Sequence, residues 1–87
     1  MANNQHHPLT NLEVGKAAIV CQILTGIHGK ALTNRLKSLG LVSGKKVKIL
    51  RKLWWGKTLH VKVGATTTIA LRDEEAKLII VKPTSGQ

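Results

Sequence analysis

Residues 31–44, ALTNRLKSLGLVSG, constrain the fold more tightly than any other stretch of the chain. Leu32, Leu36 and Leu39 recur at i, i+4 and i+7, so they stack on one side of a helix, and Thr33, Asn34, Arg35, Lys37 and Ser38 fill the rest of its circumference. The spacing predicts an amphipathic helix of about three turns. Gly40 follows the last leucine where a left-handed residue ends a helix, and Leu41 beyond it can fold back onto the leucine stripe. Gly44 then opens a run rich in β-branched residues. A helix this short is not stable alone, so its stripe requires a sheet to cover it.

The 87 residues make one domain, of a size that buries about 60–65% of the unfolded chain's surface. Leu, Ile, Val and Ala supply nearly all the apolar material, Phe and Tyr are absent, and the only aromatics are the neighbours Trp54 and Trp55. The core is therefore expected to be aliphatic. The single cysteine, Cys21, excludes an internal disulfide framework and a Cys-rich zinc or iron–sulfur site; it fits a reducing compartment and is expected as a small buried strand residue. The start is polar, and the longest apolar runs are about five residues against ~20 for a membrane span, so a soluble cytosolic protein is expected.

The formal net charge is +10. Between residues 16 and 72 there are twelve basic residues and no acid, and the acids lie outside, at Glu13, Asp73, Glu74 and Glu75. A body of this kind presents a positive field suited to an acidic protein face, an anionic membrane surface or nucleic acid.

In chain order, residues 1–8 offer nothing to bury and are expected as a disordered tail, with His6 and His7 incidental to it. TNLE at residues 10–13 has capping-box spacing, with Leu9 and Val14 placed as a hydrophobic staple, and predicts one helical turn ending at Gly15. Residues 16–24 predict a central strand with both faces mostly apolar. A glycine-bracketed loop at 25–29 leads into the helix. Residues 45–53 predict a strand with Val47 and Ile49 inward, Lys46 and Lys48 outward and a bulge near Leu50 and Arg51. Trp54, Trp55 and Gly56 form a hairpin tip, and residues 58–63 return with Leu59, Val61 and Val63 inward. A strand at 66–71, a helical turn at 73–76 with carboxylates at its amino end, and a last strand at 77–81 follow. Residues 84–87 read as a second tail. The fold class predicted is mainly β: a small, partly open SH3-like barrel of about five strands over residues 9–83, with one α-helix inserted after the first strand.

Catalysis has little support: Asp73, Glu74 and Glu75 are consecutive in a surface turn, and Ser38, Ser43 and Ser85 have no histidine at motif spacing. The chain is expected not to be an enzyme. His28, His60, Cys21 and the acids share no metal-binding spacing, which favours weak capture of iron or zinc at contacts between copies over a dedicated cofactor site. Trp54 and Trp55, rimmed by Arg51, Lys52 and Lys57, are the candidate partner-binding residues, since successive strand residues face opposite ways and one of the two should be exposed. The alternative is that both fold over the end of an aliphatic barrel. Lysines 45, 46, 48, 52, 57 and 62 read either as a solvated face that blunts edge pairing or as a steering surface toward an acidic partner near an anionic membrane.

Leu9-x-x-Leu12-x-x-Gly15, then Leu32-x-x-Arg35-Leu36-x-x-Leu39-Gly40-Leu41-x-x-Gly44, then Ala70-Leu71-Arg72-x-x-Glu75-Ala76 with Ile79 and Val81, resemble the FeoA family over residues 9–82. The resemblance implies an SH3-like barrel and a small cytosolic accessory protein of ferrous iron uptake. It also implies a partner, the membrane permease FeoB with its cytosolic GTP-binding domain. The tryptophan tip is not part of the family motif; from its own residues it is expected to contact that permease or a second copy of the chain. The same domain type resembles the carboxy-terminal module of some metal-dependent repressors. The rival reading is a basic SH3-like module that binds RNA. Against it, aromatics are not interleaved along the strands and Lys outnumbers Arg by 11 to 3, so nucleic acid is not the favoured partner. An arginine delivered in trans to the permease's GTP site has Arg35, Arg51 and Arg72 to draw on, with nothing in their context to mark one.

Overall fold

In a computed structural model of the chain, residues 6–26, 29–53 and 57–84 are described. The elements are β1 (His7–Pro8), a 3₁₀ turn (Leu9–Asn11), β2 (Ala17–Ile23), α1 (Gly29–Ser38), β3 (Lys46–Leu53), β4 (Thr58–Val63), β5 (Thr67–Arg72), α2 (Asp73–Ala76) and β6 (Ile79–Pro83). The six strands form one antiparallel sheet in the order β1-β6-β2-β3-β4-β5, which leaves β1 and β5 as edges and the sheet unclosed. The mainly β architecture and the helix after the first long strand match the sequence reading. The sixth strand was not foreseen: His7 and Pro8, assigned to the tail, pair with Val81 and Ile80.

The core is aliphatic throughout, with no buried polar or charged residue among the described residues. Ala18 and Val20 of β2, Val47 and Ile49 of β3, Leu59, Val61 and Val63 of β4, Leu71 of β5 and Ile79 and Val81 of β6 supply its sheet side. Leu32 and Leu36 of α1 close over it. Leu39 is half-buried, so the third leucine sits at the margin of the stripe.

Two strands slip register, and both slips reassign faces. In β3 the bulge falls at Leu50, as its broken alternation predicted, and Leu50 is left 39% exposed. In β2 the slip lies between Val20 and Gln22 and makes Cys21 the extra residue. Ala18 and Val20 therefore face the core before the bulge and Ile23 packs against it after. Cys21 is half-buried, not a core residue as expected, because a bulged residue has no partner across the sheet.

The α1 corner forms as its glycine dictates. Gly40, at φ 97°, sends its N–H to the Lys37 carbonyl (3.0 Å), and Leu41 sends its own to Leu36 (3.0 Å). These are the paired bonds of a Schellman stop, and Leu36 and Leu41 are both wholly buried. The amino-terminal capping box does not form. The turn there is 3₁₀, it begins one residue before Thr10 with no side-chain cap, and Val14 is 52% exposed rather than stapled onto Leu9. No helix among the described residues is long and apolar enough to cross a membrane.

Candidate partner-binding site

The β3–β4 hairpin carries the residues that the sequence marks for binding. Of these, Trp54 and Trp55 lie outside the described residues. Arg51, Lys52 and Lys57 are all exposed; strand alternation sends Arg51 and Lys52 to opposite faces, and the Leu50 bulge decides which of them faces outward. Arg51 pairs across the sheet with His60, on the face away from the core, whereas Lys52 pairs with Leu59, which is buried. Past the end of the core, the Lys52 ammonium donates to the Thr10 carbonyl at 3.1 Å and so ties the 3₁₀ turn to the hairpin. Lys57 is the one non-glycine among the described residues at positive φ (45°), and its carbonyl accepts from the Asp73 N–H at 2.7 Å. Lys52 is thus held through its ammonium and Lys57 through its backbone carbonyl, so among the described residues the charged ends of Arg51 and Lys57 carry no hydrogen bond to the fold. Beside the tip, Lys52, Leu53, Lys57, Thr58, Leu59 and Asp73 line a depression of about 410 Å³.

The lysines fall into a pattern that single-strand alternation could not show. Lys48 stands directly opposite Lys62, and Ile19 lies between Lys46 on one side and Lys82 on the other. Since β2, β3 and β4 are interior strands, these charges do not protect an edge from pairing, and Lys46 and Lys48 stand on a solvent-exposed face. Lys82 joins the face only through the β2–β6 pairing, so no local sequence signal could have placed it there.

Three of the four acids are gathered at α2. Glu75 accepts from the Arg72 backbone N–H (2.9 Å) and from the Arg35 guanidinium (2.7 Å), the latter being the only ion pair among the described residues. Burial by itself would raise the Glu75 pKa, but the Arg72 bond and the Arg35 charge outweigh it and hold the carboxyl below its ordinary value. That is the reverse of what a general acid needs.

No group of three His, Cys, Asp or Glu able to hold a metal occurs among the described residues. His60 pairs with Arg51 and precedes Lys62 by two residues on the same face, surroundings that repel a divalent cation. His28 lies outside the described residues. Among the described residues, the side chains present therefore do not fit a resident iron or zinc ion.

The model of the FeoA domain family matches residues 7–83. Among solved structures, FeoA of Stenotrophomonas maltophilia, a zinc complex described as a prokaryotic SH3-domain protein and a proposed ferrous iron transport activating factor, is 34% identical, with a TM-score of 0.74 and coverage of 86% of this chain and 88% of that one. The FeoA protein of Chlorobium tepidum is 31% identical, with a TM-score of 0.79 over 92% of this chain and 72% of that one. A manganese-dependent transcriptional repressor shares the fold at 15% identity and a TM-score of 0.83, over 97% of this chain and 45% of the repressor. Among curated proteins none matches.

Proposed function

The chain belongs to the FeoA domain family, and on that footing we propose that it is a non-enzymatic accessory protein of ferrous iron uptake that docks on the cytosolic side of a FeoB-type permease. The family match over residues 7–83 carries this reading. The Stenotrophomonas relative, described as a transport activating factor, supports it. Iron is cargo of the transport system in this reading, not a cofactor of this chain, and metal capture is weak and shared between copies. The docking site is the hairpin end, with Trp54 and Trp55 as anchors and Arg51 and Lys57 as charged rim, because hot spots concentrate on Trp and Arg. Lys52 stiffens the site through Thr10 and does not itself reach out.

A pull-down of the chain with the permease's cytosolic domain tests both parts. Capture is expected with the parent chain, and a loss of about tenfold with Trp54→Ala, Trp55→Ala or Arg51→Glu, at the size of a hot-spot contact. Absence of capture rejects the partner; capture that survives all three substitutions rejects the hairpin end. Calorimetric titration with ferrous or zinc ions should show no stoichiometric binding tighter than about micromolar, the range of a built site.

A further inference from the structure

We propose that the outer face of β6, β2, β3 and β4 binds the surface of an anionic phospholipid bilayer. Lys82, Lys46, Lys48 and Lys62 come from these strands and Arg51 extends the set past the bulge, with no acid among them. Lys48 and Lys62 are direct cross-strand neighbours, a pairing that opposes folding when no opposite charge intervenes. None does: the one ion pair among the described residues lies between α1 and α2. Because β2, β3 and β4 are interior strands, protection of an edge does not account for these lysines either. What relieves the repulsion is an external anion.

The layout selects the kind of anion. Neighbouring strands lie about 4.8 Å apart and same-face residues about 7 Å apart, so the charges form a two-dimensional array and not a line. A polynucleotide presents its phosphates in a row that a groove can track, whereas a bilayer presents them in a plane. The array is almost all lysine, a mobile point charge without arginine's two-pronged geometry, which suits headgroups of no fixed position. Apolar side chains also accompany it: half-buried Ile19 lies between Lys82 and Lys46, and Leu53 is 39% exposed at the hairpin end. Both can meet the interfacial layer while the lysines meet phosphates.

The test is co-sedimentation of the full chain with vesicles of phosphatidylcholine alone and of phosphatidylcholine with phosphatidylglycerol, in the absence of permease, so that its outcome is independent of the permease reading. Binding is expected on the anionic vesicles only, and to fade as salt rises. Lys62→Glu should weaken it by about tenfold or more, each basic residue near such a surface being worth roughly fivefold. The same substitution should keep or raise the thermal midpoint, because Lys48 then faces an acid. Lys77→Glu, an exposed lysine just past α2 and on none of these strands, should weaken binding far less. Equal retention on both vesicle types, no retention on either, or equal losses for the two variants would overturn the proposal. So would removal of the protein from anionic vesicles by an oligonucleotide of matched phosphate concentration, which would assign the face to nucleic acid.

Discussion

At Glu75 one carboxylate accepts from Arg72 on its own segment and from Arg35, forty residues away in sequence, so it joins α2 to α1. Its folded pKa lies below the ordinary 4.5, because those two partners overcome the opposing effect of burial. A carboxyl shifted downward stabilises the fold fully above its unfolded pKa and loses that contribution as pH falls through the folded value. Glu75→Gln should therefore cost about 1 kcal/mol at neutral pH, measured by urea midpoint, with the gap from the parent closing as pH falls through the folded value. Arg35→Ala should cost no more than about 0.5 kcal/mol, since the Arg35 side chain is 53% exposed and its charge is screened. The turn at residues 73–76 was legible in the sequence, because three acids ahead of Ala76 favour a helix start. The bond to Arg35 was not, since it exists only once α1 lies near α2. Cys21 shows the same limit from the other side: period-two reading put it inward, and a bulge that depends on the partner strand displaced it.

Among the elements, the α1 corner was legible, save that Leu39 sits at the margin of the stripe, because its determinants are local. Spacing set the stripe, a glycine set the stop, and the next leucine closed it. Gly40→Ala should cost about 1–2 kcal/mol: a side chain is strained at φ 97°, and its Cβ would lie 3.3 Å from Val63 Cγ1. Leu36→Ala should cost about 2–5 kcal/mol and Leu39→Ala clearly less, in the order of their burial. The amino-terminal turn is the instructive contrast. Thr10 and Glu13 have the spacing of a capping box, yet the chain makes a 3₁₀ turn closed from Leu12 to the Leu9 carbonyl at 3.0 Å, because burying Leu9 fixes where the turn begins. Thr10→Ala should accordingly change stability by less than about 0.5 kcal/mol in chemical denaturation, where loss of a true cap would cost about 1. Lys52 bonds the Thr10 backbone carbonyl, which the substitution leaves in place.

For the whole molecule, a charge of +10 with a single ion pair among the described residues makes the average surface interaction repulsive. The binding reading followed from composition; its location did not, because the array on the outer face requires the strand order and, for Arg51, the β3 bulge. Screening should therefore stabilise this protein, where in a chain rich in surface ion pairs it would do the opposite. The thermal midpoint should rise by a few degrees between about 0.05 and 0.5 M sodium chloride, a shift of a few degrees corresponding to less than about 1 kcal/mol in a domain of this size. Lys48→Glu should flatten that dependence, since it replaces the Lys48–Lys62 repulsion with an attraction that salt weakens. A midpoint that falls with salt in the parent chain would mean that attractive contacts dominate the surface, and the lysine array would then cost the fold nothing to keep.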